Sequence, residues 1–251
     1  MRHKLILIVA TALLSVLPLA AQSGKLYTRK AKLADFSTKI TKVVLSGDTM
    51  TDAVLREEIS LRWQISPYEF CSVADYEAQK YGCANYFLHF VIKGDVIFLS
   101  LDKGGKPDDA DALKRSFEVV SIPVSGADCP VMDNLCYMAA FIDILQQFTS
   151  EAIESDGTAY SGLAIYNIGN FKGLTAVVDP EEARKSFLAG EQDTMVGILV
   201  AADNPKEDSF CYKMLVTCDT HRLCHIKKSK AGAGKGWSKA ELKRFNGLSV
   251  Q

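Results

Sequence analysis

The stretch TKVVLSGDTMTDAVLREEISL, residues 41–61, changes period part-way along, and that change decides the fold. Thr41 to Gly47 is a short β-branched and apolar run that reads as a strand. At its end Asp48 and Thr49 each carry a side-chain oxygen able to satisfy the free N–H groups at the start of a helix. Met50, Ala53, Val54, Glu57 and Leu61 then recur at helical spacing. A strand that feeds a capped helix is the opening unit of an α/β protein.

Downstream, Trp63 to Phe70 looks extended, with Pro67 confining it to an edge or a bend, and a short helix follows over Ala74–Lys80. Tyr86 to Leu101 is rich in Phe, Val, Ile and Leu and is broken by Lys93-Gly94-Asp95, which suits a hairpin turn. Lys103 to Asp111 is the clearest loop, and Phe117–Val124 returns as a strand. Over Met132–Glu154, Leu135, Met138, Ala139, Ile142, Leu145, Phe148 and Ala152 form an amphipathic helix that covers a sheet face. Residues 155–172 read as an irregular connection, with Leu163–Ile168 as an extended piece.

Asp179-Pro180-Glu181-Glu182 combines a cap, a proline at the first helical position and acids facing the helix dipole, so a helix starts there and runs to about Ala189. Thr194–Ala201, Phe210–Thr217 and Leu223–Lys230 read as strands, and Lys239–Phe245 as a last short helix after Ser238. Early alternation with later hairpins implies an α/β (or α+β) fold, a mixed sheet with helices packed on it in a single compact domain over residues 41–251. Residues 23–40 are then an N-terminal extension.

Residues 1–22 have a basic start, Arg2 and Lys4, an apolar run from Leu5, and a small-residue end, Ala20-Ala21-Gln22. The run covers about 17 residues, short of the roughly 20 that span a bilayer, so it reads as a cleaved secretory signal peptide. Losing Arg2 and Lys4 moves the formal net charge from -1 to -3. Interspersed charge of that size gives no nucleic-acid footprint, and no later segment is apolar enough to span a membrane. The expected location is periplasmic or secreted and surface-associated. Cys71, Cys83, Cys129, Cys136, Cys211, Cys218 and Cys224 all follow the leader, an odd number that implies at most one or two disulfides.

Cys218, His221, Cys224 and His225 crowd into eight residues and raise the question of a zinc site. If Asp219–Arg222 is a hairpin turn, period two sends Cys224 and His225 to opposite faces and four ligands cannot converge. A three-ligand site from Cys218, His221 and one of the pair Cys224 and His225, with Cys224 as the candidate, survives that argument, as does a Cys218–Cys224 bridge, but the hairpin reading is preferred. Ser229 to Gly236 lacks the first glycine and the hydroxyl of a phosphate-binding loop, so no cofactor is expected. Asp108, Asp109 and Asp111 lack calcium-loop spacing, and His89 in its apolar strand reads as a satisfied core residue. Lysines and arginines gather from Arg222 to Arg244, and Lys235, Trp237 and Lys239 are the candidate partner-binding residues, with Trp237 as aromatic anchor.

An exported chain opening with Lys-Val-Val-Leu-Ser-Gly, a helix and a second strand resembles the cell-envelope α/β domains of the TolB amino-terminal and curli-secretion type, over about Thr41 to Glu154. Its leader, ending in Ala-Gln, is similar to those of small exported Bacteroidetes proteins of unassigned role. These resemblances imply an assembly or accessory role, binding an envelope protein partner without catalysis, and no functional residue carries over. The alternative expectation is an exported hydrolase or thiol-dependent enzyme, pairing Cys129, Cys218 or Cys224 with a histidine.

Overall fold

A computed structural model of the chain describes residues 28–82, 84–105, 116–129, 134–231 and 236–250. The expected leader, Cys83, the aspartates of the 103–111 loop and Lys235 lie outside the described residues. The α/β class is what the structure shows, about 35% helix and 32% strand. Its strands divide between two mixed five-strand sheets rather than one.

The first half runs α1 (Arg29–Leu33), β1 (Ile40–Val44), α2 (Thr49–Arg62), β2 (Tyr68–Cys71), α3 (Val73–Gln79), β3 (Asn85–Lys93), β4 (Val96–Lys103) and β5 (Phe117–Gly126). Its sheet has the order β2-β1-β3-β4-β5. β1 is parallel to both neighbours, with Val43 opposite Phe70 and Leu88, and the two later pairings are antiparallel. The second half runs α4 (Met138–Glu154), α5 (Asp156–Ser161), β6 (Thr175–Val177), α6 (Pro180–Leu188), β7 (Thr194–Val200), β8 (Phe210–Thr217), β9 (Leu223–Lys230), α7 (Lys239–Leu242) and β10 (Ser249–Val250). Its order is β10-β6-β7-β8-β9, and β6 is again flanked by two parallel partners while the remaining pairs are antiparallel. The two sheets therefore share one plan. They differ in where the chain supplies the edge strand, early as β2 and last as β10.

Local chemistry explains the helix starts. Asp48 accepts from Thr51 N at 2.8 Å, and Asp179 accepts from Glu181 N and Glu182 N, so each central strand passes into an aspartate-capped helix. The face that α2 buries is Thr51, Leu55 and Ile59, whereas Met50 and Leu61, on the expected stripe, are 63% and 67% exposed. This helix offers two apolar faces, and the one meeting Val43 and Trp63 is the one used.

α4 is buried more completely than an amphipathic reading allows: Met138 through Ile142 are all buried in succession. One core joins it to Leu88 and Leu99 of the first sheet and to Val196, Ile198 and Met214 of the second. A helix covered from both sides needs apolar residues all round, and burying each of its large side chains is worth roughly 1.5–3 kcal/mol. Phe36, fully buried, meets Trp63 and Tyr86 edge-on at 6.5 and 4.7 Å, so the described part of residues 23–40 packs into this core. Gly162–Tyr166 coils into a 3-10 helix where an extended piece was expected.

Candidate functional site

The crowded stretch after β8 is a hairpin corner. Thr217 N donates to Arg222 O at 3.0 Å, and Thr217 Oγ1 accepts from Arg222 N at 2.9 Å. Cys218 is buried in the main core, where its thiol pKa is pushed up to about 12 by burial and by the Glu191 and Asp219 charges. Cys224 belongs instead to a separate cluster around Phe171 on the other side of the second sheet. His225 packs edge-on against Phe245 of that same cluster at 4.8 Å, so it does not point away from Cys224 as strict period two requires. A β-bulge causes this: Leu215 pairs with His225 and Val216 with Leu223, leaving Cys224 as the extra residue. Cys218 and Cys224 thus face different cores, the six described cysteines are unbridged, and among the described residues no three His, Cys, Asp or Glu side chains gather around a metal-sized space.

His221 is drawn elsewhere. Its backbone is left-handed, with φ of 53°, its ring stacks on Phe187 at 5.0 Å, and Nδ1 lies 2.7 Å from Asp143 Oδ2 on α4. The same oxygen accepts from Arg62 NH1 at 2.9 Å, and Arg62 also donates to Glu58 at 2.6 Å. This cluster fastens a turn of the second sheet to a helix of the first.

Open α/β sheets place ligands outside the carboxyl ends of parallel strands, where successive connections leave on opposite faces. Both sheets have such a point. Val43 faces α2 and the main core, whereas Val44 joins Cys71, Phe87 and Tyr76 of α3 on the other face. In the second sheet Val177 faces α6 while Ala176 faces the Phe171 cluster with Phe245 and Leu248. A crevice opens at each: about 370 Å³ at the end of β1, and about 530 Å³ at the end of β6.

The β6 crevice contains the predicted anchor Trp237, together with Asn134, Asp179, Arg184 and Gly197. Lys213 of β8, itself buried, lies 5.5 Å from the indole ring, bonds Gly236 O at 2.9 Å and pairs with Glu241 of α7. Gly197 makes room for the indole: a Cβ there would sit 2.7 Å from Val178 Cγ1 and 2.8 Å from Trp237 Nε1. The indole Nε1 is buried and finds no acceptor among the described residues. Of the other predicted partner residues, Lys239 begins α7 and is described only in its backbone.

The β1 crevice holds a residue the sequence placed in the core. His89 is 6% exposed, and Nε2 lies 2.8 Å from Asp102 Oδ2, while Ser100 Oγ donates to Asp102 Oδ1 at 2.8 Å. Ser100 and Asp102 alternate with the apolar Leu99 and Leu101, a period-two polar signal that sequence reading passed over. Asp143, Arg184 and Gly197 have no comparable local signal. A third cleft of about 530 Å³ lies between the two halves, with Lys93, Lys206 and Lys228 around Phe210 and Tyr212. Lys93 is held there by Glu118 and Ser121, and Lys228 Nζ lies 3.9 Å over the Phe210 ring.

No protein-family model matches the chain, and no curated protein or solved structure matches it.

Proposed function

We propose that this chain is an exported binding protein that captures another cell-envelope component, a protein, through the Trp237 crevice. The observation that carries the reading is the seating of Trp237 at the carboxyl end of β6, beside Arg184 and the aspartate-capped start of α6. Tryptophan and arginine in one recess are what an interface anchor requires, and the strand ends are where this architecture presents ligand-facing groups. The leader-like residues 1–22 and the resemblance to envelope domains support the cellular setting. A basic segment through Lys235 and Lys239 adjoins the crevice in sequence and would favour an acidic partner surface.

At Cys218 and Cys224 the thiol-enzyme alternative is disfavoured by electrostatics. Burial raises the thiol pKa of Cys71, Cys136, Cys218 and Cys224, whereas a nucleophilic thiolate needs a depressed one.

The test is a photocrosslinking residue placed at Gly236 in the full chain, expressed in its own cells, with Leu188 as the control position. Leu188 is 72% exposed. The expected result is one adduct of defined mass in the envelope fraction, present at Gly236, absent at Leu188, and lost with Arg184→Ala or with Lys239→Glu. Identical adducts at both positions, or none at either, overturn the reading.

A further inference from the structure

We infer that the crevice at the carboxyl end of β1 is a second, small-molecule site, taking a compact neutral molecule with an aromatic or alicyclic body and one hydroxyl donor, received by His89. This goes beyond partner capture and does not depend on it.

Asp102 takes the Ser100 hydroxyl on one oxygen and meets Nε2 of His89 with the other, an arrangement satisfied by the His89 tautomer whose hydrogen is on Nε2. In the neutral ring Nδ1 is then a lone-pair acceptor. Among the described residues nothing donates to it, and His89 is part of the crevice wall. The ring cannot turn away, because Tyr76 lies against it at 4.8 Å with an interplanar angle of 32°.

The surroundings select the ligand. Val44, Val73, Ile92 and Ile97 line the crevice, and Val73 and Ile92 are 49% and 64% exposed, an apolar wall and rim without a described partner. Among the described residues no lysine or arginine lines the crevice, and Lys80, whose ammonium lies over the Tyr76 ring, is already paired with Glu77, so no unpaired cation on the wall is offered to a carboxylate or phosphate. An apolar body with a single donor is what remains. A purely structural role is a weaker account, since a bridge between strands has no need of a crevice or of an unpaired ring nitrogen on its wall.

The probe is phenol, followed by the Nδ1 resonance of His89 in protein labelled with 15N-histidine, with toluene and benzoate for comparison. The resonance is assigned from through-space contacts of the His89 ring with the Tyr76 ring, 4.8 Å away, and independently from its loss in His89→Gln. Phenol should move it saturably, toluene should bind roughly tenfold more weakly and leave Nδ1 unmoved, as loss of one hydrogen bond implies, and benzoate should not bind. Val73→Trp, at an exposed position, should abolish the phenol response while leaving the His89 resonance in place, so the test survives if His89→Gln fails to fold. A phenol response matched by toluene, one undiminished in Val73→Trp, or no saturable shift overturns the inference.

Discussion

Nδ1 of His221 and the carboxylate of Asp143 meet at 2.7 Å across the boundary between the two sheets. The contact joins a turn whose residue is held in the left-handed region to the middle of the most buried helix in the protein. Asp143 is its hub, since Arg62 of α2 uses the same oxygen.

Asp143→Asn should therefore loosen both attachments. An amide offers one carbonyl where two donors now share a charged oxygen, and its NH2 must face one of them. The expected loss is about 1–3 kcal/mol, read by urea denaturation, and His221→Val should lose more than His221→Asn because a β-branched residue tolerates positive φ poorly. Equal midpoints for the wild type and Asp143→Asn would show that the contact contributes nothing.

Trp237→Phe should leave stability unchanged or raise it, although it removes an aromatic nitrogen-containing ring from a packed position. The indole N–H is buried without an acceptor among the described residues, and an orphaned donor of that kind costs about 1–3 kcal/mol. Gly197→Ala should do the reverse, displacing the ring and shifting its emission to longer wavelength. Trp63, bonded to Ser66 Oγ at 3.0 Å, gives the other emission and is removed as a background with Trp63→Phe. An unshifted Gly197→Ala spectrum would show that the indole does not rest on that glycine.

Alkali should destabilise the protein from about pH 9 upward. Burial, with the Glu191 and Asp219 charges, raises the Cys218 thiol from 9.0 to about 12, and burial with the Asp102 charge raises the Tyr76 phenol from 10.0 to about 12. Each folded group keeps a proton that its unfolded form releases, so stability is complete below the unfolded value and falls as pH rises toward the folded one. Urea midpoints should be flat between about pH 7 and pH 9 and decline beyond, less steeply in Cys218→Ala. A flat profile through about pH 11 would contradict the buried, protonated thiol.

Local features of the fold were legible and distant ones were not. The bounds of β8 and β9 follow from the turn residues Asp219–Arg222 between two extended stretches, and the caps Asp48 and Asp179 from side-chain chemistry that acts within three residues. β6 and β10, with three and two residues, are too short to show a period. Which stripe of α2 faced inward depended on Val43 and Trp63, which a helical spacing rule does not include. At the candidate sites, Trp237 could be named from its residue type, yet its glycine seat lies on another strand. Asp143 and His221 are 78 residues apart, beyond the reach of any motif. Cys224 and His225 were misassigned because a single bulge resets the alternation on which the reading relied.

The late arrival of β10 bears on how the chain acquires its shape. The first sheet has all its strands by Gly126, but β6 gains its outer neighbour only when Ser249 and Val250 reach it. Until then β6 presents a free row of amide and carbonyl groups, the kind of open border that invites pairing with another chain. The border is closed by two residues whose side chains are exposed, so fraying of this strand would reopen it without disturbing the core. Self-association of this protein should accordingly begin at the β6 border, and it should begin there before the rest of the molecule unfolds.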